Sequence, residues 1–170
     1  VIELLLAALD LSPERAELQA EQAALLEARG QLENAATSWR DAVAAHPRAP
    51  VSWLRSLEHL CWRLGRNAER AHWLGRLEEH EDLSAGEREH CAAERVALLT
   101  AHPELRAQAA LLLAHLLDAG APLSEPQQSA RAQQLLGLYD QLGRDADWCA
   151  LALRLAPVLD LTPRRALERE

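Results

Sequence analysis

The 170 residues contain no lysine, no methionine and no phenylalanine; isoleucine occurs once, as Ile2, and valine and asparagine are scarce. Strands draw on β-branched and aromatic residues, so their scarcity argues against a sheet. Every positive side chain is arginine, and the net charge is -8. An acidic chain is poorly suited to a nucleic-acid backbone or an anionic bilayer, both of which need a basic surface. No apolar run is long enough to span a membrane; the longest, 109–117, is interrupted by His115 and fits a buried helix. The three cysteines, Cys61, Cys91 and Cys149, are too few and too far apart for a disulfide framework. That usage suits a reducing compartment, which points to the cytoplasm. No signal peptide is visible, although an excised segment can have lost one. There is no glycine-rich phosphate loop and no G-x-S-x-G elbow, and no catalytic or cofactor-binding residue stands out.

Leucine and alanine, both strong helix formers, make up about two-fifths of the chain. Together with the missing strand formers they predict an all-α fold. Glycine and proline divide it into helices. A helix tail is expected over 1–9. Ser12-Pro13 opens a helix closed by Gly30, because serine caps and proline fits the first turn. Its partner covers 31–45 and stops before Pro47. Pro50 opens a helix over 51–64, closed by Gly65, followed by one over 67–80. Ser84 and Glu87 form a capping box for a helix reaching Thr100. Pro103 starts the next, which ends near Gly120. Ser124 to Gln127 is a second capping-box pattern, for a helix over 125–142 closed by Gly143. A helix over 145–156 follows, and Thr162-Pro163 begins a last one over 162–170. Connections are short, so successive helices pair antiparallel. The expected units are about 12–47, 50–80, 84–120 and 124–157 within one domain. Leu9-Asp-Leu-Ser-Pro13 also resembles Leu159-Asp-Leu-Thr-Pro163, through recurrence of a cap pattern or through repetition of the whole block.

The stretch from Gly30 to Pro47 reads G-x4-A-x3-W-x2-A-x4-P. With Ala23 and Leu26 before it, this resembles the tetratricopeptide repeat family. The resemblance implies antiparallel hairpins stacked as a right-handed superhelix, an α-solenoid. In such a superhelix an aromatic packs between neighbouring units and the first helices line a concave groove. Gln19 and Gln22 depart from the pattern. In the second unit Trp53, Leu57 and Leu60 are in register, while Gly65 and Ala71 fall late and suggest a residue inserted at the turn. The third unit keeps little signature, and the fourth retains Leu135, Tyr139 and Gly143. Arginine, alanine and leucine in place of lysine, phenylalanine and isoleucine suggest GC-rich coding. With no initiating methionine, the chain reads as a segment of a larger bacterial repeat protein.

Trp39, Trp53, Trp73 and Trp148 read as packing anchors. Trp53, Leu57, Leu60 and Leu64 form an apolar stripe, and Trp62 lies off it, near Arg55 and Glu58. An exposed tryptophan beside arginine is a binding hot-spot candidate, set against packing on a neighbouring hairpin. The family's carboxylate clamp uses lysine, which this chain lacks. The matching groove positions are Glu17, Ala20, Ala24 and Glu27, an acidic, alanine-floored groove suited to a basic or extended helical ligand. Glu87, His90 and Glu94 lie on one side of a helix, but no metal-binding motif accompanies them, so no metal is expected. Cys61 and Cys149 read as core. The expected function is a non-enzymatic scaffold that binds a protein or peptide partner through Trp62, Glu17, Glu27, Arg55 and Glu58. The alternatives are a regulatory or sensor segment attached to a kinase or transcription regulator, a self-assembling spacer joined through its terminal helices, and an all-α enzyme with a deep polar pocket.

Overall fold

A computed structural model describes residues 13–46, 48–118 and 125–155. Among them are eight α-helices and no strand. They are α1 (Pro13–Ala28), α2 (Leu32–Ala45), α3 (Val51–Arg63), α4 (Asn67–Glu78), α5 (Ala85–Ala101), α6 (Arg106–Asp118), α7 (Glu125–Gln141) and α8 (Asp145–Leu155). Pro103 does not open an α-helix directly; it begins a 3-10 turn, Pro103–Leu105, that leads into α6. The cap at Ser12, the stop at Pro47, the Ser124–Gln127 box, the end helices 1–9 and 162–170, and the Leu9 and Leu159 segments lie outside the described residues.

Three helices end in the same way. Gly30, Gly65 and Gly143 adopt positive φ, at 75°, 68° and 64°. At the first, Gly30 N donates to Glu27 O and Gln31 N to Leu26 O, both at 2.9 Å. Gly65 with Arg66, and Gly143 with Arg144, donate to Trp62, Cys61, Asp140 and Tyr139 in the same pattern. This paired closure satisfies carbonyls that the helix end leaves free. The turn at Gly65 therefore closes as the turn at Gly30 does. Counted from the glycine, Ala71 is the counterpart of Ala36, and Leu74 is the counterpart of Trp39.

The chain divides into two compact units, Val1–Arg95 and Val96–Glu170, with the border inside α5. In the first, α1 packs on α2, α2 on α3 and α3 on α4. Ala16, Ala20 and Ala23 of α1 are buried, as are Ala35, Ala36 and Ala42 of α2, and such small side chains allow close helix approach. The buried face of α3 is Leu54, Leu57, Leu60 and Cys61, while Trp53 and Leu64 are half-buried. The stripe expected through Trp53 and Leu64 is rotated, because α3 packs on α2 and α4 at once. In the second unit α6 packs on α7 and α7 on α8, around Leu113, Leu135, Leu138 and Leu151. Here α8 buries Leu151 and Ala152, and Cys149, expected in the core, is only half-buried. Among the described residues no helix is long and apolar enough to cross a membrane.

Candidate interaction face

Helical spacing puts Glu17, Ala20, Ala24 and Glu27 on one strip of α1. Glu27 meets α3 at its C-terminal end: its Oε1 lies 3.9 Å from His59 Nδ1 and 3.8 Å from Arg63 Nη1. His59 rests against Trp62, with ring centroids 5.6 Å apart and planes at 36°. Trp62 is 58% exposed, unusual for so large an apolar side chain. One turn before His59 on α3, Arg55 Nη2 lies 3.2 Å from Glu87 Oε1 on α5. Glu87 is also held by the capping box. It accepts from the Ser84 hydroxyl at 2.8 Å and from Ser84 N at 3.0 Å, while Glu87 N donates back to Ser84 Oγ at 3.3 Å. The Ser84 hydroxyl, then its N–H, and more weakly Arg55 hold this carboxyl below its ordinary range. Arg55, Glu87 and His59 are solvent-exposed and Glu27 is half-buried, so these pairs mainly set orientation.

The second helices of the pairs are linked too. Arg66 pairs with Glu33 of α2, and Arg40 of α2 lies 3.9 Å from Glu69 of α4. Trp39 and Trp53 pack between α2 and α3 with centroids 6.1 Å apart, and His46 stands edge-on to Trp53 at 5.5 Å. Trp39 and Trp73 are buried, as packing anchors should be, whereas Trp53 and Trp148 are half-buried.

At the N-terminal end of α3 the seam with α1 opens into a depression of about 350 Å³. Glu17, Ala20, Glu21 and Ala24 line it from α1, Trp39 from α2 and Trp53 from α3. Glu17, Ala20 and Ala24 thus lie together along a groove, but two indoles share its lining with the alanines. Glu27 is not part of it, being turned to His59 and Arg63. Glu17 and Glu21 are exposed and have no cationic partner among the described residues. The Trp39 indole N–H is buried without an acceptor.

Of the five residues singled out from sequence, Glu27, Trp62 and Arg55 lie along the two seams of α3, and Glu17 lines the depression. Glu58 faces its own hairpin partner, with Oε1 2.5 Å from Arg70 Nε. Glu21, His59 and Trp53 belong to this region and were not singled out as binding residues. Glu21 sits one turn after Glu17 and His59 three residues before Trp62, a spacing visible in the sequence. Glu87, His90 and Glu94 do not converge: Glu87 turns to Ser84 and Arg55, and Glu94 lies 3.7 Å from Arg70. Among the described residues no group of three or more His, Cys, Asp or Glu side chains is placed to hold a metal ion. The chain matches no protein-family model and no curated protein.

Proposed function

We propose that this chain is a tetratricopeptide-like helical repeat, a right-handed solenoid of hairpins that serves as a protein-interaction scaffold. A peptide or short helix of the partner lies across the first helices, α1, α3 and α5. The observation that supports this is the pair of seams on α3. Glu27 reaches His59 and Arg63, Arg55 reaches Glu87, and Trp62 stands exposed on the same helix, one turn from His59. Such a face is held before the partner arrives, so little ordering cost falls on the scaffold. A tryptophan flanked by polar pairs has the make-up of a binding hot spot.

The reading is tested by selecting peptides from a random display library on the full chain and measuring their affinities by calorimetry. Trp62→Ala is expected to weaken selected peptides by tenfold or more. Leu153→Ala, at an exposed leucine of the second unit, is expected to leave them unchanged. Peptides that ignore Trp62→Ala, or a selection that yields no saturable binder, would remove the proposal.

A further inference from the structure

Three depressions differ in how their charges are matched. In the second unit the depression of about 230 Å³ carries opposed charges already in contact. There Arg154 lies 2.8 Å from Asp118, and Arg144 lies 2.7 Å from Asp147. The one of about 250 Å³ between the α2–α3 connection and the end of α4 mixes both signs, with Arg48 3.4 Å from Glu81. The depression between α1 and α3 has one sign only. Glu17 and Glu21 rise on one wall, unmatched among the described residues, and Trp53 and Trp39 form the other.

We infer that this depression receives an arginine side chain from an extended segment of the partner, an inference that rests on the scaffold reading above. The chemistry is selective. Two carboxylates one helical turn apart present acceptor oxygens to a guanidinium, which binds carboxylates through paired N–H groups. The half-buried Trp53 ring offers a flat, electron-rich surface on which a planar cation stacks. Arginine meets both demands, whereas an ammonium is a compact, strongly hydrated point charge that cannot stack. An anionic side chain would meet two like charges. A neutral apolar one would leave both carboxylates at its edge with their water disturbed. Glu17 and Glu21 also repel each other on α1, and a cation seated between them relieves that.

The test is a titration of the full, isotope-labelled chain with the capped tripeptide acetyl-Gly-Arg-Gly-amide, following the indole N–H resonances of the five tryptophans. Saturable shifts confined to Trp39 and Trp53 are expected, with Trp73 unmoved. The combined Glu17→Gln and Glu21→Gln variant should bind at least tenfold more weakly. It removes a repulsion on an exposed face, so its melting temperature should be no lower than that of the parent. The same tripeptide with neutral citrulline in place of arginine is expected not to bind. The inference is overturned by an absence of saturable shifts, by equal binding of the citrulline peptide, or by undiminished binding to the Gln variant. Display-selected peptides that depend on Trp62 but bind the Gln variant normally would sink this pocket and leave the scaffold standing. Arginine binding here, with no peptide held by the Trp62 face, would do the reverse.

Discussion

Arg70 Nε lies 2.5 Å from Glu58 Oε1 across the α3–α4 hairpin, and both side chains are more than four-fifths buried, at 19% and 18% exposure. Arg70 also reaches Glu94 of α5 at 3.7 Å. One guanidinium therefore ties three successive helices. A largely buried charge pair differs from a surface one, because removing one member strands the other in a poorly hydrated place.

Glu58→Ala is accordingly expected to destabilise the chain by about 2 kcal/mol, within the range for a hydrogen bond to a charged group. Arg70→Ala should cost at least as much, since it frees two carboxylates. The double variant should be less destabilised than the sum of the two singles, which urea denaturation of all four proteins will measure. Additive losses would mean that the pair is not coupled. Peptides selected on the Trp62 face should bind folded Glu58→Ala as they bind the parent, because Glu58 faces α4.

Gly30 and Gly137 make opposite predictions from one chemical change. A methyl added at either meets nothing within 4 Å, so neither position is crowded. Gly30 has φ at 75°, however, while Gly137 lies within α7 without that requirement. Gly30→Ala should lose about 1–2 kcal/mol, the cost of forcing an L-residue into the left-handed region. Gly137→Ala should gain about 0.4–1 kcal/mol by restricting the unfolded chain. Urea midpoints decide both. A neutral Gly30→Ala would mean that the turn can close without its left-handed residue.

The helices were legible because their ends carry chemistry: a glycine with positive φ closes three of them, and Ser84 with Glu87 opens another. What lay beyond a single helix was harder to read. Glu58 shares the outer face of α3 with Trp62 by spacing, and only the approach of Arg70 from α4 shows that it turns inward. In the register of Trp53, Leu57 and Leu60, Gly65 and Ala71 fall late; the hydrogen bonds at Gly65 repeat the closure at Gly30, and counted from that glycine Leu74 stands where the first hairpin has Trp39. Of the four groove positions expected on α1, Glu17, Ala20 and Ala24 line the depression, and Glu27 turns instead to His59 and Arg63. The aromatic wall of the depression was not legible, since Trp39 and Trp53 come from helices whose juxtaposition no local pattern states.

The three cysteines should separate by burial. Cys61 and Cys91 are buried, and Cys149 is half-buried. Burial first, then the Glu69 carboxylate 3.8 Å from Sγ, pushes the Cys61 thiol up to about 11. Burial raises the Cys91 thiol as well. Only the thiolate attacks, so the shift from 9.0 to about 11 leaves Cys61 with on the order of a hundredfold less reactive form at neutral pH. A chromogenic disulfide reagent at pH 7.5 should therefore label Cys149 first and reach the other two only in denaturant. The same shift sets a pH dependence. A folded-state value above the unfolded one means that the native chain holds its proton longer, so this contribution to stability is complete below pH 9 and is lost as pH rises through 11. Between those limits the parent should lose stability more steeply than Cys61→Ala, whose cavity cost is the same at every pH. Parallel curves, or Cys61 labelling as fast as Cys149, would show that the thiol is neither shielded nor linked to folding.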